Sequence, residues 1–292
     1  MLKHFLCFMS LLTPAIVVAG EHPVSMWLAE GAHNRVYLLG SVHLLRREDH
    51  PLPVVLDAAY EDAEALLMEL DMDDIDPGAM QNLSSQLGVL AGDRSLRDLM
   101  GEEQYQEATV AAAELDLPFE LLAHTEPWLA AITLEQLALM RIGFDPQYGI
   151  EMTMLTKASR DGKNITGLES AEEQLTLLDN LSIAAQNELL LETLQESRTI
   201  KTEMDGLVKA WRVGDTAYLE SNMLADMQAY PELYKALVVD RNQRWVSEIQ
   251  ELLDDDQDYL VIVGALHLIG PDGLPALLKQ RNIPTRQMHE SF

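Results

Sequence analysis

Two stretches far apart in the chain, "VYLLGSVHLL" (Val36–Leu45) and "YLVIVGALHLIG" (Tyr259–Gly270), each end an apolar run at a glycine and set a histidine three residues later. Apolar runs without alternation are the mark of strands buried on both faces of a sheet, with helices covering each side. Ligands gather at the carboxyl ends of such strands, because the loops diverge there and leave a crevice. Gly40 and Gly264 let the chain turn or another group approach the backbone. His43 and His267 are therefore expected to face one cavity.

The segments between the two motifs complete the fold. "SMWLAEGAHNRVYLLG" predicts two strands around a turn at Gly31–Asn34, the second being Val36–Leu39. A helix follows from Pro53 to Asp62, then a strand, Ala65–Leu70, which carries Glu69 at its end. From about residue 77 to 260 Leu, Met and Ala recur at helical steps, broken by a short strand near residues 164–167 that leads into Glu169. "DYLVIVGALHL", a helix at "PDGLPALLKQRN" and a strand at "PTRQM" close the chain. The class is α/β (α+β): a central, mostly parallel sheet built from the N- and C-terminal parts, with a large helical middle.

Residues 1–20, "MLKHFLCFMSLLTPAIVVAG", stand apart from this pattern. Lys3, an apolar stretch from Phe5 to Val18, and the small residues Ala19 and Gly20 make a secretory signal peptide, leaving residues 21–292 as the domain. The competing reading is a membrane anchor; Pro14 and the short apolar run count against it. The one cysteine, Cys7, lies in that leader, which suits export to a periplasm without disulfides. The formal net charge of -28 excludes nucleic acid as a partner by repulsion from phosphate. No nucleophile elbow, phosphate loop, dinucleotide fingerprint or HExxH is present. "DDDQD", Asp254–Asp258, lacks the glycine and closing glutamate of a calcium loop.

A carboxylate after apolar strand residues is costly to bury unless paired or bound to a metal. Glu69 and Glu169 both have that position. Two imidazoles and one or two carboxylates form a ligand set for zinc, manganese or a similar divalent ion that activates water. A metal-free version uses one histidine as general base, oriented by a carboxylate. Each histidine read singly is a hydrogen-bonded structural residue, and Glu169 can equally be the acidic first turn of a helix. The identical context of the two histidines favours function. Arg241, Asn242 and Arg244 form a further cluster, read either as surface salt bridging or as a means of orienting a carboxylate or carbonyl. His33, His50 and His124 read as structural or exposed.

These motifs together resemble the TraB/GumN family, related to the animal Tiki proteins. The resemblance rests on "YLLGSVHLL", "ALLMELD", "GKNITGLES", "DRNQRWVSEI" and "VIVGALHLIGPDGLPALLKQRN", in the family's order and across nearly all of residues 21–292. It implies a fold of two related α/β halves, likened to erythromycin esterases and the haem-associated ChaN proteins. It also implies a metal-dependent peptidase activity, with His43, Glu69 and His267 on a divalent ion (Mn, Co or Zn). Glu169 would serve as base or support, and Arg241 with Asn242 as stabilisers of developing charge. One departure is "YGIEMTML", where relatives often carry Asp and this chain has Glu151. The resulting expectation is an exported metal-dependent hydrolase acting on a peptide or small molecule. Its rivals are a periplasmic protein that binds a peptide, haem or metal without turnover, and a scaffold whose histidines are structural.

Overall fold

In the computed structural model, which describes residues 22–290, the helical and extended segments meet around one sheet of six strands in the order β4-β3-β5-β2-β1-β6. The strands are β1 (Pro23–Glu30), β2 (Arg35–Ser41), β3 (Ala65–Leu70), β4 (Asn164–Glu169), β5 (Tyr259–Gly264) and β6 (Thr285–His289). β4, β3, β5 and β2 pair in parallel; β1 is antiparallel to both β2 and β6. The expected leader lies outside the described residues. Among those described, no helix is long and apolar enough to cross a membrane.

The unbroken apolar runs have a direct cause. Tyr37 and Leu39 of β2 and Leu260 and Ile262 of β5 enter one hydrophobic core, while Val36, Leu38, Val261 and Val263 enter another on the opposite face. Side chains still alternate, but both faces are dry. Burying each such side chain stabilises the fold by roughly 1.5–3 kcal/mol. The helices Glu102–Glu114, Pro127–Arg141 and Ile183–Glu196 form a separate core around Leu96, Leu134 and Leu190.

Several boundaries differ from the sequence expectation. β2 runs on to Ser41, because Gly40 and Ser41 pair with Val263 and Gly264. The helix expected from Pro53 starts at Val54, with Pro53 as its cap. β4 extends to Glu169, which pairs with Leu70. Glu169 is thus the end of a strand, and the following helix, Ala171–Asp179, is capped by Ser170, whose side chain forms a capping box with Glu173.

The strand β5, reached only after the helical middle of the chain, lies between β2 and β3. The carboxyl ends of β2, β5, β3 and β4 therefore stand side by side, where such sheets bind ligands.

Candidate functional site

Four adjacent strand ends carry Ser41, Gly264, Glu69 and Glu169, and the helix Asp240–Leu252 packs beside them with Arg241, Asn242 and Trp245 buried. A π-helical turn, Lys235–Val239, precedes that helix. Arg241, Asn242 and Trp245 lie at helical spacing, so one face presents all three toward the strand ends.

Gly264 marks where the two motifs meet. A Cβ built on it would lie 3.3 Å from Glu69 Oε1, 3.5 Å from His43 Nε2 and 3.6 Å from His267 Cδ2. Both histidines and the β3 carboxylate therefore converge, as the motif repeat implies. His33, His50 and His124 do not join them: His50 Nε2 meets the Tyr148 carbonyl and His124 Nδ1 the Arg94 carbonyl.

The two imidazoles differ in every other respect. The His43 side chain is 60% exposed, its Nδ1 lies 2.8 Å from Glu151 Oε1, and its Nε2 has no hydrogen-bond partner among the described residues. Glu151 opens the helix Ile150–Asp161, held against the His43 loop by Ile150 N–H to the Val42 carbonyl. Gly149 permits that approach, since a Cβ there would stand 2.0 Å from the His43 carbonyl oxygen. The charge of Glu151 raises the His43 pKa to about 9, against the opposing effect of desolvation. Burial pushes the Glu151 carboxyl up, but His43 outweighs it and leaves it below the usual range.

His267 is locked. Its side chain is 6% exposed, and Nδ1 donates to Asn242 Oδ1 at 2.7 Å. The Asn242 amide nitrogen donates to the carbonyls of His267 and Asp272, so its oxygen must face the imidazole. This fixes the proton on Nδ1 and leaves Nε2 as an acceptor, taken by Arg241 Nη1 at 3.1 Å. Burial, with Arg241 beside the ring, lowers the His267 pKa to about 3. The Trp245 ring packs 4.6 Å from the imidazole and 4.4 Å from the Arg241 guanidinium carbon.

Arg241 spends all five of its N–H groups on the protein. Nε and Nη2 grip both oxygens of Glu169, Nη2 also donates to Glu69 Oε2 at 2.5 Å, and Nη1 donates to His267 and the Leu237 carbonyl. Glu169 further accepts from Arg244 at 3.3 Å. Glu69 accepts from the Gly264 N–H at 2.7 Å and from Gln174 at 3.2 Å. Burial pushes Glu69 up, but His267, Arg241, His43 and the Gly264 N–H outweigh it and bring it down to about 2. With His267 neutral at ordinary pH, the guanidinium and the protonated His43 are the cations that keep Glu69 ionised.

Several expected roles change in this light. Glu169, gripped by two arginines, is not placed to take a proton from water. Arg241 has no donor left for a substrate, and Asn242 orients His267 instead of meeting a ligand. Surface salt bridging is overturned for Arg241, which is buried. Gln174 and Trp245 escaped the sequence reading. Trp245 stands four residues after Arg241, a spacing that could have flagged it.

The expected divalent ion can be tested against this donor set. Two imidazoles and a carboxylate suit zinc or manganese in kind. Ligation by His267, however, requires the Nε2 lone pair that Arg241 already occupies. An ion there would also adjoin the guanidinium, and two unit charges 4 Å apart repel by about 4 kcal/mol at an effective dielectric of 20. Among the described residues no three His, Cys, Asp or Glu side chains group to hold a metal. As arranged, the residues do not fit an ion held by His43, Glu69 and His267.

Comparison with known proteins supports the motif reading. The model of the TraB/PrgY/gumN family matches residues 25–287. The "Uncharacterized protein YbaP" of Escherichia coli (strain K12) is 27% identical over 244 residues, 83% of this chain and 87% of its own. The protein of the same name in Shigella flexneri gives the same identity, 27% over 244 residues. No solved structure matches the chain.

Proposed function

Because the chain belongs to the TraB/PrgY/gumN family and joins an open histidine to a strand-end carboxylate, we propose that it is an exported hydrolase that cleaves peptide bonds. The observation that carries this reading is His43: an imidazole backed by Glu151 on Nδ1, with Nε2 unpartnered among the described residues and standing beside Gly264. A carboxylate on one ring nitrogen sets the tautomer that leaves the other nitrogen as a base.

In this mechanism Nε2 takes a proton from water as the water oxygen bonds to the scissile carbonyl carbon. The imidazolium so formed is stabilised by Glu151. As the carbon–nitrogen bond breaks, His43 returns the proton to the leaving amine. Glu69, which also stands beside Gly264, adds negative charge near the imidazolium. Because only the neutral ring is a base, the rate should climb as pH rises toward about 9.

Export rests on residues 1–20 acting as a cleaved leader; N-terminal sequencing of protein recovered from cell fractions tests it. Turnover is tested by mass spectrometry of a diverse peptide pool incubated with purified protein. Cleavage that falls by about 10²–10⁴ in His43→Ala is expected for loss of a general base. No cleavage of any peptide or ester would remove the reading.

A second reading, binding without turnover, has one observation in its favour: Arg241 has no N–H left for a developing oxyanion. Stoichiometric retention of a peptide or haem with no product would establish it.

A further inference from the structure

We infer that Arg241 is the resident cation of this site, and that it keeps a latent divalent-metal site closed by occupying the His267 and Glu69 atoms such an ion would use. The inference stands on donor geometry and holds whether or not the chain turns over a substrate.

The residues on either side of the guanidinium are those a metal would choose. Glu69 Oε2 accepts from Nη2 at 2.5 Å, and His267 Nε2 accepts from Nη1 at 3.1 Å. His267 is already in the tautomer a metal needs, with Asn242 accepting its Nδ1–H at 2.7 Å. A hydrogen-bonded second nitrogen of this kind is the usual support of a ligating imidazole. His43 Nε2 stands across Gly264 with no partner among the described residues. Trp245, stacked 4.4 Å from the Arg241 carbon, holds the guanidinium in that position. An unbranched apolar side chain at position 241 removes the cation, frees both acceptors and leaves Glu69 without its guanidinium, and Glu169 with Arg244 alone, a gain of net negative charge that favours a divalent ion.

Cobalt(II) reports the outcome, since its visible absorption responds to nitrogen and oxygen ligation. Purified protein and its Arg241→Met variant are titrated with Co²⁺ in parallel, with thermal melts recorded with and without the ion. The native chain should bind no stoichiometric Co²⁺ at His267, and its melt should not move. Arg241→Met should bind one equivalent at least about 100-fold more tightly, with a raised melting temperature. That binding should disappear when His267→Ala is added. Tight one-to-one binding by the native chain that His267→Ala abolishes overturns the inference, as does a folded Arg241→Met that gains no affinity. If Arg241→Met folds only when refolded with Co²⁺, the metal is completing the core, as proposed. If it does not fold either way, the native titration decides alone: native binding lost in His267→Ala overturns the inference, and its absence upholds it.

Discussion

The two Gly-x-x-His motifs share spacing and strand context, yet one ends in an open side chain and the other in a closed one. His43 is 60% exposed with a free Nε2, whereas His267 is 6% exposed with both nitrogens engaged. The difference comes from what packs on each loop. Beside β5 lies the helix Asp240–Leu252, which supplies Asn242, Arg241 and Trp245; beside β2 lies the start of the helix Ile150–Asp161, which supplies Glu151 alone. An identical local motif thus yields a reactive base at one end of the chain and a framework residue at the other. Asymmetry of this kind separates the proton-carrying group from the groups that hold the cleft in shape.

The largest effects should fall on stability and activity in opposite patterns. His267→Ala leaves one Arg241 Nη1–H and the Asn242 Oδ1 unpaired in a buried setting and opens a cavity, costing about 3–5 kcal/mol in urea unfolding. His43→Ala should cost less stability than His267→Ala, because the lost ring is largely exposed, while removing the turnover expected of a general base. Equal destabilisation by both would break the contrast. Glu151→Gln sharpens it. Loss of the carboxylate should cut the maximal rate by roughly 10²-fold and shift its rising limb to lower pH, because the charge that raises the His43 pKa is gone. A pH–rate profile with an unmoved limb would detach Glu151 from His43.

The pH dependence of stability gives a further separation. The folded pKa of His267, about 3, lies below its ordinary 6.5, so its contribution is present above 6.5 and is lost as pH falls toward 3. His43, raised to about 9 from 6.5, contributes below 6.5, and that contribution is lost as pH rises through 9. Urea melts across both windows should therefore become flatter on the acid side in His267→Gln and on the alkaline side in Glu151→Gln. The smallest effect is expected at Trp245. Trp245→Phe keeps an aromatic face under Arg241 and His267, whereas Trp245→Leu loses a stacking contribution of about 0.5–1.5 kcal/mol beyond the lost area, read by the same melts.

Much of the fold was legible because its strands and helices announce themselves by pattern. The strand Ala65–Leu70 is bounded as expected, and the apolar runs before Gly40 and Gly264 are buried on both faces. The end of β4 was not, since "TGLES" fits a strand end and a helix start equally well; pairing of Glu169 with Leu70 decides it. In the site, convergence of His43, Glu69 and His267 followed from the repeated motif. What each does was hidden, because a five-donor guanidinium between two glutamates depends on which face of the helix Asp240–Leu252 packs inward. One-dimensional spacing carries no record of that choice.

The unequal state of the two imidazoles is tested most directly by NMR of histidine ring nitrogens across pH, with His43→Ala and His267→Ala used for assignment. The asymmetry predicts that His267 stays neutral and protonated on Nδ1 down to about pH 3, while His43 keeps its charge well above its ordinary 6.5. Two rings that lose their protons together near 6.5, or a His267 protonated on Nε2, would contradict it.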